Sequence, residues 1–214
     1  MKRKTLDTVF STGGLLIAAL LVVFGVVMQQ QASFAQDYVD AQLSAQAIYF
    51  TPSADLSDEE AEAACLVQYG TGDEAARLLR TGQQAECYAN EYIGLHLREA
   101  TEGMTYAQLG GPQRAARASL AEAIENNGPN VEELQAELDR INGMRDTAFR
   151  GETLRGLLLT VYGFSVLGSK AAVAATVAFI GAGLMVLLSL AGFAHAMRTP
   201  VTEPFAPVEL VKTG

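Results

Sequence analysis

Two long apolar blocks without charges lie near the two ends of the 214-residue chain, and a polar region separates them. The first block covers residues 8–28 and the second covers residues 171–194. As an α-helix the first block is about 31 Å long, which matches the roughly 30 Å hydrocarbon core of a bilayer. This pattern predicts an all-α protein in which two transmembrane helices, at residues 8–29 and 170–195, flank an extracytoplasmic helical bundle.

The first block could also be a signal peptide, because the residues after it, Ser33, Phe34 and Ala35, have the small-x-small pattern of a signal-peptidase site. The apolar core of a signal peptide spans only about 7–15 residues, so the length of this block favours a retained membrane helix. The sequence leaves open whether the chain is cleaved after Ala35. Either outcome leaves the central region on the same side of the membrane.

Positive charges set the expected orientation. Lys2, Arg3 and Lys4 precede the first span, so the positive-inside rule places residues 1–7 in the cytoplasm. The second span must then return, which places Arg198 and a proline-rich, disordered tail at residues 196–214 in the cytoplasm as well. The predicted location is therefore a plasma membrane, with both termini cytoplasmic, the central domain extracellular and lipid around the spans.

A shorter apolar segment precedes the second span. Residues 156–169 lie between Arg155 and Lys170, and fourteen helical residues reach only about 21 Å. This length is too short to cross a bilayer. We therefore expect residues 154–169 to form an apolar helix in the membrane interface or in the extracytoplasmic domain, and the sequence does not decide between the two.

Small residues recur along both spans at helical spacing and predict close packing of the spans on each other. Homodimerisation through the same faces is the less favoured alternative. Neither apolar block, 8–28 or 171–194, contains a charged residue, which argues against an ion or proton path. The six residues of the predicted packing faces are Gly14, Ala18, Gly25, Ala174, Ala178 and Ala182.

Helix signals dominate the central region, residues 30–153. Ser57 and Glu60 form a capping-box pattern that opens a helix toward Tyr69, and Asp73 is expected to cap a short helix through Arg80. Further helices are predicted from 82 to Gly103 and from Pro112 to 126. A turn at 127–129 then leads to a heptad-like seam formed by Val131, Leu134, Leu138, Ile141 and Met144.

The chain contains two cysteines, Cys65 and Cys87, and both lie in this central region. In an oxidising compartment such a pair usually forms a disulfide. On the chain-entropy model, closing this loop stabilises the fold by about 3 kcal/mol. We therefore predict a Cys65–Cys87 bond that joins two helices.

The charge is unevenly distributed and excludes nucleic acid as a partner. The net charge is −9, and residues 37–152 hold 21 of the 24 acidic residues. An acidic surface repels phosphate backbones. The predicted partners are membrane lipid and either another membrane protein or further copies of the chain.

No catalytic motif is present in the sequence. It lacks a nucleophile elbow, a phosphate-binding loop and a His-Glu-x-x-His motif. His96 with Glu99 and Glu102 has a spacing that could touch a metal, but a solvated helix face is the favoured interpretation. His195 falls on the opposite side of the membrane from His96. We therefore predict no catalytic residue, cofactor or metal site.

Three segments, KRKTLDTVFSTGG, HLREATEGMTYAQL and FRGETLRGLLLTVYGF, together resemble a family of small actinobacterial two-span membrane proteins. The resemblance covers both spans and much of the central region, and it implies a Gram-positive plasma membrane. Some members are labelled aromatic ring-opening dioxygenases. This chain lacks the clustered histidine and carboxylate ligands that such an iron site requires. The two cysteines are not part of the family pattern.

The sequence therefore favours a non-catalytic integral membrane protein whose extracytoplasmic helical domain binds another protein, as an accessory or assembly subunit of a larger membrane complex. An extracytoplasmic small-molecule sensor or binding domain is the alternative hypothesis, and an enzyme is the third.

Overall fold

The computed structural model describes residues 3–200, and within this range the protein is all-α, as predicted. Its elements in chain order are α1 (Arg3–Ser44), α2 (Asp58–Ala61), α3 (Ala64–Tyr69), α4 (Gly82–Cys87), a π-helical segment (Tyr88–Ile93), α5 (Gly94–Ala100), α6 (Gly110–Glu125) and α7 (Val131–Arg198).

The chain divides into two compact units. Residues 1–35 and 167–214 form the first, which we call the two-helix unit. Residues 36–166 form the second, the central unit. The helices α1 and α7 contribute residues to both units.

The core of the central unit collects apolar side chains from most of its elements. Phe50, Leu43 and Leu79 are among its largest fully buried side chains. Burying each such side chain contributes about 1.5–3 kcal/mol to folding. The full core consists of Val39, Leu43, Phe50, Leu66, Leu79, Ala85, Cys87, Ala89 and Leu158.

The segment from Asp73 to Arg80, which was predicted to be a short helix, forms a turn and a single β-bridge. Asp73 accepts a hydrogen bond of 2.9 Å from the backbone N–H of Ala76, but the turn does not continue into a helix through Arg80, so that prediction is wrong. Instead, residues 77–79 form a single antiparallel bridge with residues 48–50, in which the Leu79 N–H donates to the Ile48 carbonyl. The bridge occupies backbone N–H and C=O groups that a helix would have used for its own hydrogen bonds. A helix this short is unstable by itself, because its nucleation is costly.

Two capping boxes fix the starts of the short helices. The predicted Ser57–Glu60 box is present, with the Glu60 carboxylate 2.8 Å from the Ser57 N–H. Thr81 and Gln84 form a second box, which the sequence analysis missed. The helix after Ser57 is interrupted after Ala61 and restarts at Ala64, so it is two helices rather than the one predicted.

The C-terminal half of the central unit follows the predicted pattern more closely. The helix after Gly82 ends at Ala100, where the N–H of Gly103 (φ 76°) donates to the Arg98 carbonyl at 2.8 Å. Such a positive φ favours glycine. A turn at residues 127–130 connects α6 to α7, and three residues of the predicted seam, Leu138, Ile141 and Met144, are buried.

Residues 154–169 were expected to form an apolar helix that runs into the second span, and they are part of α7, which runs without interruption from Val131 to Arg198. The helix also includes residues 196–198, which were expected to begin a disordered tail. Residues 201–214 of that tail lie outside the described residues.

Candidate functional site

The two cysteines are joined as predicted. Cys65 lies in α3 and Cys87 is the last residue of α4, and their Cα atoms are 6.2 Å apart in the disulfide. Cys87 is buried in the core of the central unit. The bond therefore connects two short helices that have few hydrogen bonds of their own.

Both α1 and α7 are long and apolar enough to cross a membrane. Many large aliphatic side chains of the two-helix unit are exposed, which suits contact with lipid tails. Leu20, Val23 and Leu188, for example, are between 62 and 69% exposed.

Most of the small residues predicted to pack in the two-helix unit are buried against the opposite helix. Of the predicted packing residues, Gly14, Ala18, Gly25, Ala178 and Ala182 are buried, and Ala174 is half-buried. A Cβ atom added at Gly25 would lie 2.7 Å from the Phe179 ring, and one added at Gly14 would collide with the Ser189 hydroxyl. A larger residue at either position would force the facing side chain to move, so glycine favours the close approach of the helices.

The packing face extends beyond the predicted residues. Ser11 and Ser189 are buried, and a Cβ atom at Gly192 would collide with the Ser11 hydroxyl. Farther along the same helices, a Cβ atom at Gly168 would lie 2.6 Å from that of Ala35. The signal for this extension is the spacing of three and four residues through Ser11, Gly14 and Ala18, in which serine acts as a small residue.

Charged residues border the apolar parts of the two-helix unit. His195 Nδ1 and a carboxylate oxygen of Asp7 are 2.9 Å apart, a hydrogen-bonding contact that the sequence did not predict. Of the residues expected to set the topology, Arg3 and Lys4 lie in the first turn of α1 and Arg198 is the last residue of α7. Lys2 lies outside the described residues.

The central unit contains a row of aromatic rings around the π-helical segment. The rings of Tyr88 and Tyr92 stack with centroids 4.7 Å apart, and His96 follows at 4.5 Å from Tyr92. On the other side, Phe50 contacts Tyr88 at 5.5 Å and Tyr69 at 5.2 Å. Burial raises the pKa of Tyr88 to about 12, and the neighbouring Tyr92 adds to the shift. Tyr88 therefore stays a neutral phenol at physiological pH.

The predicted spacing of His96, Glu99 and Glu102 does not bring the three side chains together. His96 Nδ1 is 2.9 Å from the Tyr92 carbonyl, and its Nε2 is 3.7 Å from Glu60. Glu102 pairs with Arg140 instead. Within residues 3–200 no group of three histidine, cysteine or carboxylate side chains could hold a metal ion.

An acidic cavity of about 710 Å³ lies between α2 and the two residues that follow it, the π-helical segment and α5. A hydrogen bond shared with Glu99 raises the pKa of Glu59, and the repulsion between the two carboxylates raises it further. Its lining consists of Glu59, Glu62, Ala63, Glu91, Leu95, Arg98 and Glu99. This cavity attracts cations, but it shows no bonding geometry for a particular one.

No protein family matches this chain, and no functionally described protein or solved structure is significantly similar to it.

Proposed function

We propose that this protein is a non-catalytic integral membrane protein whose central unit lies outside the cytoplasm and binds another membrane protein. In this proposal the protein acts as an accessory or assembly subunit of a larger membrane complex. The Cys65–Cys87 disulfide carries the proposal, because such bonds persist in oxidising compartments and are rare in the cytosol. Both cysteines belong to the central unit, whose residues 36–166 lie in chain order between the apolar stretches of α1 and α7.

Helix lengths support the membrane part of the proposal. A span needs about 20 apolar residues, whereas α1 has 42 residues and α7 has 68. Each helix is therefore long enough to cross the bilayer and continue into the polar central unit. The positive charges of Arg3 and Lys4 at the start of α1 favour a cytoplasmic amino terminus.

The surface of the central unit supports protein binding. Tyr106 is 40% exposed and Phe149 is 57% exposed, and their ring centroids are 5.7 Å apart. Arg145 lies over the Tyr106 ring. Aromatic and arginine side chains are the residue types that most often dominate binding energy at protein interfaces.

Single-cysteine labelling tests the topology. In a variant without the native cysteines, Ile124→Cys would place a thiol on an exposed position of the central unit, and Met197→Cys would place one on the exposed end of α7. A membrane-impermeant maleimide added to intact cells should label the first thiol and should reach the second only after lysis. The reverse labelling pattern would show that the central unit lies in the cytoplasm, which would contradict the proposal.

Purification of the full chain from its native membrane in mild detergent tests the partner. We expect a second membrane protein at fixed stoichiometry, and co-expression of two differently tagged copies separates this result from self-association. A chain that always purifies alone as a monomer would contradict the proposal. So would a small solute that stabilises the chain strongly without any partner.

A further inference from the structure

A small cleft lies between α6, α7 and the loop before α6, entirely within the central unit. Its volume is about 250 Å³. Its lining combines two aromatic rings, two amide side chains, a guanidinium and a carboxylate, from Tyr106, Gln113, Asn142, Arg145, Asp146 and Phe149. The guanidinium, the amides and the phenol among these groups can donate directed hydrogen bonds to an anion.

Arg145 is held in this cleft with hydrogen-bonding capacity left over. Its Cζ lies 4.4 Å from the centroid of the Tyr106 ring, and its Nη1 donates to the side-chain oxygen of Gln113. Gln113 in turn donates to Asn142 at 2.7 Å, which fixes the amide. The buried Nε of Arg145 has no hydrogen-bond partner within the described residues. A buried donor without a partner costs about 1–3 kcal/mol, so an acceptor that reaches this guanidinium would be favoured.

A second guanidinium lies beside the first. A Cβ atom added at Gly110 would lie 3.5 Å from Arg114 Nη1 and 4.0 Å from Arg145 Nη2, so both groups border the same glycine. Neither arginine forms an ion pair with any carboxylate in residues 3–200. The nearby carboxylate of Asp146 is paired with Arg150 at 2.9 Å. The cleft is therefore a locally positive place on an otherwise acidic domain.

The size of the cleft decides which kind of anion it takes. Small-molecule sites usually have volumes of about 300–1,000 Å³ and bury most of their ligand. A cleft of 250 Å³ bordered by exposed Tyr106 and Phe149 is instead the size of one or two side chains. Guanidinium groups bind carboxylates through two parallel hydrogen bonds, and the rings exclude water around them.

We propose that the cleft between Tyr106, Arg145 and Phe149 binds an aspartate or glutamate side chain of a partner protein, with Arg114 as the second cation. This inference rests on the proposed function, since it names the chemistry by which the central unit recognises its partner.

A random peptide library displayed on phage tests the inference against the full-length protein in nanodiscs. We expect selected peptides to share an acidic residue at a fixed position next to an apolar one. Replacing that residue by its amide in a synthetic peptide should weaken binding at least tenfold, because the charge-assisted hydrogen bonds are lost. Peptides selected without a common acidic residue would overturn the inference.

Substitutions in the protein locate the binding site. Arg145→Gln and Arg114→Gln should each weaken binding of the selected peptide at least tenfold. Arg117→Gln makes the same charge change on an exposed face of α6 outside the cleft and should leave binding unchanged. Arg114 is exposed and lies near Arg145 beside Gly110 without lining the cleft itself, so its substitution tests the second cation even if Arg145→Gln lowers the melting temperature. Equal binding by all three variants would overturn the inference.

Two further measurements separate the possible failures. Free glutamate at the same concentration should not compete with the peptide, and full competition would show a solute site instead of a docking surface. If a native partner co-purifies with wild type and equally with Arg114→Gln and Arg145→Gln, the proposed function stands and this cleft is not its docking site. If no partner ever co-purifies, the proposed function itself fails, whatever the peptides show.

Discussion

Arg80 donates two hydrogen bonds of 2.7 Å to the two carboxylate oxygens of Asp40, and it thereby fastens α1 to the segment before α4. The two residues are 40 positions apart in the chain. Ser44 adds a third hydrogen bond to Asp40 at 2.8 Å. Bidentate pairs of this kind have defined geometry as well as charge, so this contact fixes the direction in which the chain leaves α1.

The Asp40–Arg80 pair predicts a pH dependence of stability. The hydrogen bond from Arg80, helped by Ser44, lowers the pKa of Asp40 from 3.8 to about 2. A lowered carboxyl pKa stabilises the folded state above pH 3.8, and this contribution disappears as the pH falls through 2. Both side chains are about half exposed, so solvent screening limits the effect to less than about 1 kcal/mol.

Thermal unfolding of Asp40→Asn against wild type checks this prediction. The variant should melt at a lower temperature at pH 7, and the difference should shrink as the pH falls below 3.8. Asp37→Asn removes an exposed carboxylate from the same helix and is the matched control. A difference that stays constant down to pH 2, or an equal effect of the control, would contradict the assignment.

The disulfide should be a large single contributor to the stability of the central unit. It closes a loop with a sequence separation of 22, for which the chain-entropy model gives about 3 kcal/mol. We expect Cys65→Ala combined with Cys87→Ala to lower the free energy of unfolding by roughly this amount. Reductant should destabilise wild type similarly and leave the double variant unchanged. No effect of reductant on wild type would contradict the prediction.

The close contact between Gly168 and Ala35 predicts that the two-helix unit will not tolerate a larger residue at position 168. A methyl group at this position would lie 2.6 Å from the Ala35 Cβ, and neither group has a rotamer that relieves the overlap. Gly168→Ala should therefore lower the melting temperature in nanodiscs, since overpacking costs about 1–3 kcal/mol. Gly183→Ala, on the same helix with no atom within 4 Å of the added methyl, should be neutral or slightly stabilising. Equal melting temperatures for the two variants would mean that the helices are farther apart than described.

The Glu59–Glu99 contact predicts the opposite pH dependence from Asp40. The hydrogen bond with Glu99, together with repulsion between the two carboxylates, raises the pKa of Glu59, so the folded state loses stability as the pH rises above the ordinary value of 4.5. Glu99→Gln should raise the melting temperature at pH 7 and have little effect well below pH 4.5. Glu122→Gln, an exposed carboxylate on α6, is the control. An equal gain at both pH values would exclude carboxylate repulsion as the cause.

The sequence predicted features that depend on local pattern or on one covalent constraint. Hydrophobic block length predicted two helices able to span a membrane, and the Ser57–Glu60 spacing predicted a capping box. The Cys65–Cys87 disulfide was predicted because the central region was expected to lie in an oxidising compartment. The helix and capping signals each lie within one short stretch of sequence. The disulfide could be predicted because the chain has two cysteines, so each has one possible partner.

Features set by contacts between distant segments were missed. The bridge between Tyr49 and Leu78 competes with a local helix signal at Asp73, and nothing near Asp73 reveals that competition. The cleft at Arg145 brings together residues from 106 to 149, so no short motif contains it. The Asp7–His195 pair joins residues 188 positions apart, and only the packing of α1 on α7 makes them neighbours.

The π-helical segment at Tyr88–Ile93 has a consequence for how insertions and deletions act in this domain. Each residue of an α-helix advances the chain by about 100° around the axis. A π-helical turn holds about one residue more than an α-helical turn, because its hydrogen bonds join residues five apart. Deleting one residue from the widened turn should therefore restore an ordinary helix and leave the faces of α5 nearly unchanged. Deleting one residue from an ordinary turn at the start of α5 would instead rotate the rest of the helix by about 100°, and Leu97, now buried, would turn toward solvent. The widened turn is thus the place in this helix where the loss of one residue should disturb the core least.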